Sequence, residues 1–140
     1  MAALTGPRQP FELTLKNIAL PLAAQVVWQG GRACIDTSTG TVKKAAAANA
    51  NLLSIGEFAE SLDNTGALAP YVMVNLDREI KVRCYDSVTG ANAVTISNLG
   101  SDCYLFDDHT VTMASSGNSK AGRVWGVHPV NGPMIQSEIL

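Results

Sequence analysis

The sequence predicts an all-β protein, a jelly-roll-like β-sandwich or barrel of about ten short strands. Two observations carry that class. Short apolar or alternating runs recur at spacings of about 8 to 12 residues, with clusters of Asp, Asn, Thr and Gly between them. The chain also repeats part of itself. Displaced by 69 positions, Gly31 falls on Gly100, Cys34 on Cys103, Thr41 on Thr110, Val42 on Val111, Ala45 on Ala114 and Asn49 on Asn118. One residue later in register, Ile55-Gly56 meets Trp125-Gly126. What repeats is strand-and-turn scaffolding, which favours a structural β protein over an enzyme.

Residues 1–10 hold Gly6, Pro7 and Pro10 with little apolar periodicity, and read as an extended N-terminal arm. Residues 11–140 read as one β-sandwich domain, with the repeat at about 30–58 and 100–127. Phe11, Leu13 and Leu15 alternate with Glu12, Thr14 and Lys16, the period of a half-buried strand. Residues 17–28 are apolar, but Pro21 rules out one long helix, and residues 25–28 lean to strand.

Residues 32–35 and 40–44 flank the turn formers Asp36 to Gly40 and predict a hairpin. The alanines of 45–50 favour helix. Gly56, two asparagines and missing caps oppose it, and the second copy reads Ser115-Ser116-Gly117-Asn118, a loop. A loop at 45–51 and a strand at 52–58 follow. Residues 60–69 connect through a turn at Asp63 to Gly66. Residues 71–76 and 79–85 predict a hairpin around Asp77-Arg78, with Ile80, Val82 and Cys84 on one face and Lys81 and Arg83 on the other. Residues 86–92 turn through Thr89-Gly90. Further strands are expected at 93–97, 102–106, 110–114, 123–127 and near 134–137.

Composition narrows the function. Apolar residues make up 46% of the 140, which supports a folded core, and charged residues only 16%, below the usual quarter. A surface so poor in charge points to other protein lying against it. The net charge of −2 gives no footprint for nucleic acid, and Lys43-Lys44 is the lone basic pair. No apolar run is long enough to cross a bilayer, and no secretory signal is evident at the N-terminus. Cys34, Cys84 and Cys103 are widely spaced without a Cys-x-x-Cys pair, so buried, reduced thiols in a cytosolically assembled protein are expected.

Catalysis needs a nucleophile, a base and a group to orient them. His109 sits in the tight turn Asp107 to Thr110, and His128 precedes Pro129 at a strand end. Asp107, Asp108 and Asp102 lack the alternation and closing glutamate of a calcium loop. Gly30-Gly31 and Gly126 fit no phosphate-binding pattern. Trp28, Trp125, Tyr71 and Tyr85 read as core anchors, and 6% aromatic content leaves little for base stacking. No catalytic, cofactor or metal site is expected.

Residues 30–56, GGRACIDTSTGTVKKAAAANANLLSIG, and 100–127, GSDCYLFDDHTVTMASSGNSKAGRVWGV, resemble the capsid cement or head-decoration proteins of tailed bacteriophages. The shared pattern is a strand, an Asp/Thr/Gly turn, a Thr-Val strand, a small-residue loop and a strand written like AGRVWGV. The resemblance covers somewhat under half of the chain and rests on punctuation, not on invariant chemistry.

The resemblance implies a virion protein on the outer capsid surface, assembled in the bacterial host cytoplasm. It would bind the major capsid protein at subunit junctions after the shell expands, with no enzyme activity and no cofactor. It implies self-association, a homodimer ahead of a trimer, and no nucleic-acid or membrane partner. On this reading Leu4, Arg8 and Phe11 are the capsid-binding candidates. Trp28, Trp125 and Ile135 are candidates for self-association or, equally, for the core. The alternatives are another head or tail β protein, which would form rings or tubes, and a ligand-binding jelly-roll barrel, which would need a convergent set of histidines and carboxylates. A surface or pilus module would call for an export signal and paired cysteines.

Overall fold

Turn chemistry sets the first hairpin. Asp36 Oδ1 accepts hydrogen bonds from the Ser38 amide at 2.9 Å and the Ser38 hydroxyl at 2.6 Å, while the Gly40 amide returns to the Asp36 carbonyl at 2.8 Å. Gly40 has φ +72°, a conformation that glycine adopts without a Cβ penalty. Strands β3 (Arg32–Asp36) and β4 (Thr41–Lys44) pair across it, as the turn residues predict. The alanine-rich stretch that follows is a loop, and the next strand starts at Leu52.

The computed structural model describes residues 17–140 and is all-β, with thirteen strands in that range arranged as a β-sandwich. The expected arm at 1–10 and strand at 11–16 lie outside the described residues. The other strands are β1 (Asn17–Pro21), β2 (Val26–Val27), β5 (Leu52–Phe58), β6 (Leu62–Asp63), β7 (Tyr71–Leu76), β8 (Val82–Cys84), β9 (Asp86–Ser87), β10 (Asp102–Leu105), β11 (Thr110–Thr112), β12 (Lys120–His128) and β13 (Gly132–Gln136). One sheet has the order β1-β7-β5-β3-β4, a second β8-β13-β12-β10-β11-β9, and β2 pairs with β6.

The two main sheets are built alike. Each half of the chain supplies an edge strand (β1, β8), a hairpin toward the other side of the sheet (β3-β4, β10-β11), a third strand beside the hairpin's first strand (β5, β12) and a fourth next to it (β7, β13). In both halves the chain leaving the edge strand crosses over and pairs in parallel with the opposite edge. Leu22 bridges Val42 in the first half, and Ser87 pairs with Val111 in the second.

The strand register corrects the sequence alignment in two places. A bulge follows Ala33, whose partner is Gly56, and another follows Cys103, whose partner is Gly122. Cys103 therefore occupies the place of Ala33, not of Cys34, and Gly122 that of Gly56, where the sequence matched Gly126. The cause is steric: a Cβ on Gly56 would overlap the Asn75 carbonyl oxygen, and one on Gly122 the Gln136 carbonyl oxygen.

Two other expectations fail. Strands β7 and β8 do not form a hairpin: β8 pairs with β13 in the other sheet, and residues 77–81 link the halves. Residues 93–97 form no strand. A 3₁₀ turn spans Ile96–Asn98, where a capping box links Thr95 and Asn98 and bends the chain out of any ladder.

The core is divided in two. One cluster packs Leu22, Val27, Ala33, Val42, Ile55, Phe58, Val72, Val74 and Leu76, all from the first half. The other gathers Tyr85, Val94, Cys103, Leu105, Val111, Ala121, Val124 and Ile135 from the second half, and is completed by Cys34, Ala45 and Leu52 from the first. Strand β3 thus serves both, with Ala33 facing one cluster and its neighbour Cys34 the other.

Candidate interaction surface

A buried polar seam holds the halves together. Arg32, 2% exposed, donates from Nε to Ser54 Oγ at 2.7 Å and from Nη2 to Asp77 Oδ2. Arg83, on the opposite half, donates from Nη1 to Asp77 Oδ1 at 3.0 Å and pairs through Nε with Glu57 Oε2 at 3.0 Å. Two guanidiniums thus face two carboxylates, which leaves the set without net charge. Burial raises the Tyr85 phenol, partly offset by the nearby Arg32 and Arg83 charges. Among the described residues, Arg32 Nη1 and Arg83 Nη2 are the buried side-chain atoms without a protein partner. A cavity of about 70 Å³ lies beside Arg32, Ser54, Asp77 and Lys120, enough room for water to meet such donors.

The alternation expected for residues 79–85 holds, and the seam sets its sense. Arg83 turns inward because Asp77 and Glu57 await it, so Ile80, Val82 and Cys84 point outward. Cys84 is accordingly an exposed thiol, against the expectation that all three cysteines are buried. On the outer face Cys84 lies opposite Met134, and Met134 opposite Gly126. The Met134 methyl rests over Gly126, 2.9 Å from where a Cβ would stand. Trp125, 57% exposed, adjoins it. The result is an outward apolar strip of Val82, Cys84, Met134 and Trp125, bordered by the Arg123–Asp102 and Lys120–Asp102 ion pairs at 3.6 and 3.3 Å.

Of the self-association candidates, Trp125 lies on this strip, and Trp28, 62% exposed, lines a separate shallow groove with Val26, Ser61 and Leu62. Neither is a core anchor. Ile135 is wholly buried in the second cluster, facing Val124 and Arg83 across the sheet, and cannot reach another molecule. The capsid-binding candidates Leu4, Arg8 and Phe11 lie outside the described residues.

Two loop tips escaped the sequence reading altogether: Leu68, between β6 and β7, and Val130, between β12 and β13, are 90% and 86% exposed. Each is a lone aliphatic residue in a turn-rich stretch, a pattern with no periodicity to flag it.

His109 and its neighbouring aspartates sit in the turn between β10 and β11. The His109 amide donates to Asp107 Oδ1 at 2.9 Å, and its ring Nδ1 lies 3.0 Å from Asp108 Oδ1, a contact that raises the imidazole above its ordinary value. Ligand atoms of Asp107, Asp108 and His109 lie within 4.8 Å of one another, a grouping that these turn contacts account for. Burial pushes the Cys34 and Cys103 thiols up to about 12, which makes both poor nucleophiles.

No family model matches the chain, and neither a curated protein nor a solved structure matches it. Fold and surface together define an all-β protein of two like halves with large apolar side chains on its outside.

Proposed function

We propose that this chain is a structural virion protein that binds the outer surface of an icosahedral phage capsid at subunit junctions and stabilises the shell after expansion. The observation that carries the reading is the combination of a stiff double-sheet frame with apolar side chains left outside it: Trp28, Trp125, Leu68 and Val130. Rigid placement lowers the ordering cost of each contact, and a repeating lattice multiplies modest contacts through effective concentration. The low content of charge and the strand-and-turn resemblance of 30–56 and 100–127 support the same reading.

The test mixes the purified chain with empty shells of its parent phage, before and after expansion, and co-sediments them. Saturable binding to expanded shells alone is expected. Binding to neither form would overturn the proposal.

A further inference from the structure

Each half of the chain seals one side of its main sheet and leaves the other open. The chain leaving β1 closes off β4: Leu22 bridges Val42, the Ala23 amide donates to the Val42 carbonyl at 3.0 Å, and the Lys44 amide donates to Gln25 Oε1 at 3.0 Å. In the second half β9 closes off β11. The strands left at the far sides are β1 and β8. They are guarded differently. The Leu22 amide on the Pro70 carbonyl, at 2.9 Å, fixes the parity of β1 and turns Pro21 to its free side, where proline offers no amide. Strand β8 has no such guard.

Hydrogen bonds fix which groups of β8 are free. The Lys81 carbonyl accepts the Ser137 amide at 3.0 Å, the Tyr85 amide donates to the Pro133 carbonyl at 2.9 Å, and Arg83 lies opposite Ile135 between them. Odd-numbered residues therefore direct their amides and carbonyls at β13, and Val82 and Cys84 direct theirs the other way. Those four backbone groups have no partner among the described residues. Both side chains are exposed and neither is charged. Strand edges resist stray pairing through charge, proline, bulges or shortness, and this one has only its shortness.

The spacing of the free residues selects the occupant. They flank one centre, so a second β8 turned about a two-fold axis through Arg83 sets Val82 opposite Cys84 of the other copy, and Cys84 opposite its Val82. Each is a hydrogen-bonded pair, so all four groups of each copy are satisfied with none left over. We propose that β8 is a docking edge for β8 of a second copy of this chain, paired antiparallel about Arg83 to join the two six-stranded sheets. The two Arg83 side chains meet across the axis on the inner face. Each already has Asp77 and Glu57 of its own, which offsets the like-charge penalty. On the outer face Val82 and Cys84, with Met134 beside Cys84, form one apolar band across the axis. A contact of three residues per strand is small, so the dimer is reversible. The inference stands independently of the cement reading.

Sedimentation velocity of the parent from about 1 to about 500 µM should show a dimer that dilution separates. V82K/C84K sets lysine against lysine at both pairs and should weaken that dimer roughly tenfold or more. Its thermal midpoint should match the parent's, since both side chains already stand in water. Oxidation reads the register. Val82 and the opposing Cys84 have Cα atoms about 5.5 Å apart, within disulfide reach, whereas each residue lies about 8 Å from its own counterpart, beyond it. Parent mixed with V82C/C84S should therefore give the mixed 82–84 disulfide in excess over either self-linked product. A parent that stays monomeric throughout overturns the inference. So does a dimer whose self-linked products equal the mixed one. Should V82K/C84K fail to fold, the oxidation result decides alone.

Discussion

Gly56 and Gly122 show how single residues hold each half together. Each lies where the neighbouring strand's carbonyl, Asn75 or Gln136, occupies the space a Cβ would need. Backbone cannot give as a side chain can, so Gly56→Ala and Gly122→Ala should each cost about 1–3 kcal/mol or more in urea unfolding. Gly126→Ala meets only the flexible Met134 methyl and should cost far less. Equal losses at all three positions would show that close strand approach is not what requires these glycines. A second residue-level effect is electrostatic. Hydrogen bonds from Lys43 and from the Ser38 side chain and amide hold the Asp36 carboxyl at about 2, below its ordinary 3.8. A depressed folded-state value stabilises the fold above the unfolded value and is lost as pH falls through the folded one. The stability gap between the parent and Asp36→Asn should therefore be full at about pH 6 and close as the pH falls from about 4 to about 2. A gap independent of pH across that range would contradict the assignment.

At the scale of elements, parity in β8 decides which side chains reach solvent. Because Arg83 faces the seam, Cys84 points outward while Cys34 and Cys103 stay buried with raised thiols. A native thiol titration should find one fast-reacting cysteine of the three, abolished by Cys84→Ser, and the other two only after denaturation. Two or three fast thiols would mean that the inner strands open readily. The same strand shows what the sequence could reveal. The β3-β4 hairpin was legible because Asp36 to Gly40 is a local signal, and the loop at 45–51 because its second copy reads Ser115-Ser116-Gly117-Asn118. Which face of β8 turns inward was not, because an inward arginine is set by partners remote in sequence, Glu57 and Asp77, and alternation separates the two faces without saying which is buried. Strand pairing failed at 71–85 for a similar reason: Asp77-Arg78 resembles a hairpin turn but joins two halves. Of the surface, Trp28 and Trp125 were legible as residues of interest, but Leu68 and Val130 were not. Their loops are held by Asn64 and His128, contacts that no local pattern encodes.

Across the whole molecule the duplication is unequal, and that inequality predicts how it folds. Every member of the first core comes from the first half, so its strands can bury their apolar faces against one another without help. The second core needs Cys34, Ala45 and Leu52 to close it. Without them the second core is left open to water on the side they cover. A fragment of such length has little stability to spare. The seam adds to the asymmetry: Arg32 and Asp77 both belong to the first half and still pair when it stands alone, whereas Arg83 loses both of its carboxylates. Residues 1–78 expressed alone should therefore show a cooperative thermal transition and dispersed amide resonances. Residues 79–140 should show neither until the first fragment is added, when their order should return with a one-to-one stoichiometry. Cooperative folding of 79–140 alone would mean that the three borrowed side chains are dispensable and that the halves are independent units. Failure of 1–78 to fold would mean that its core, though its own, is too small to hold without the second sheet against it.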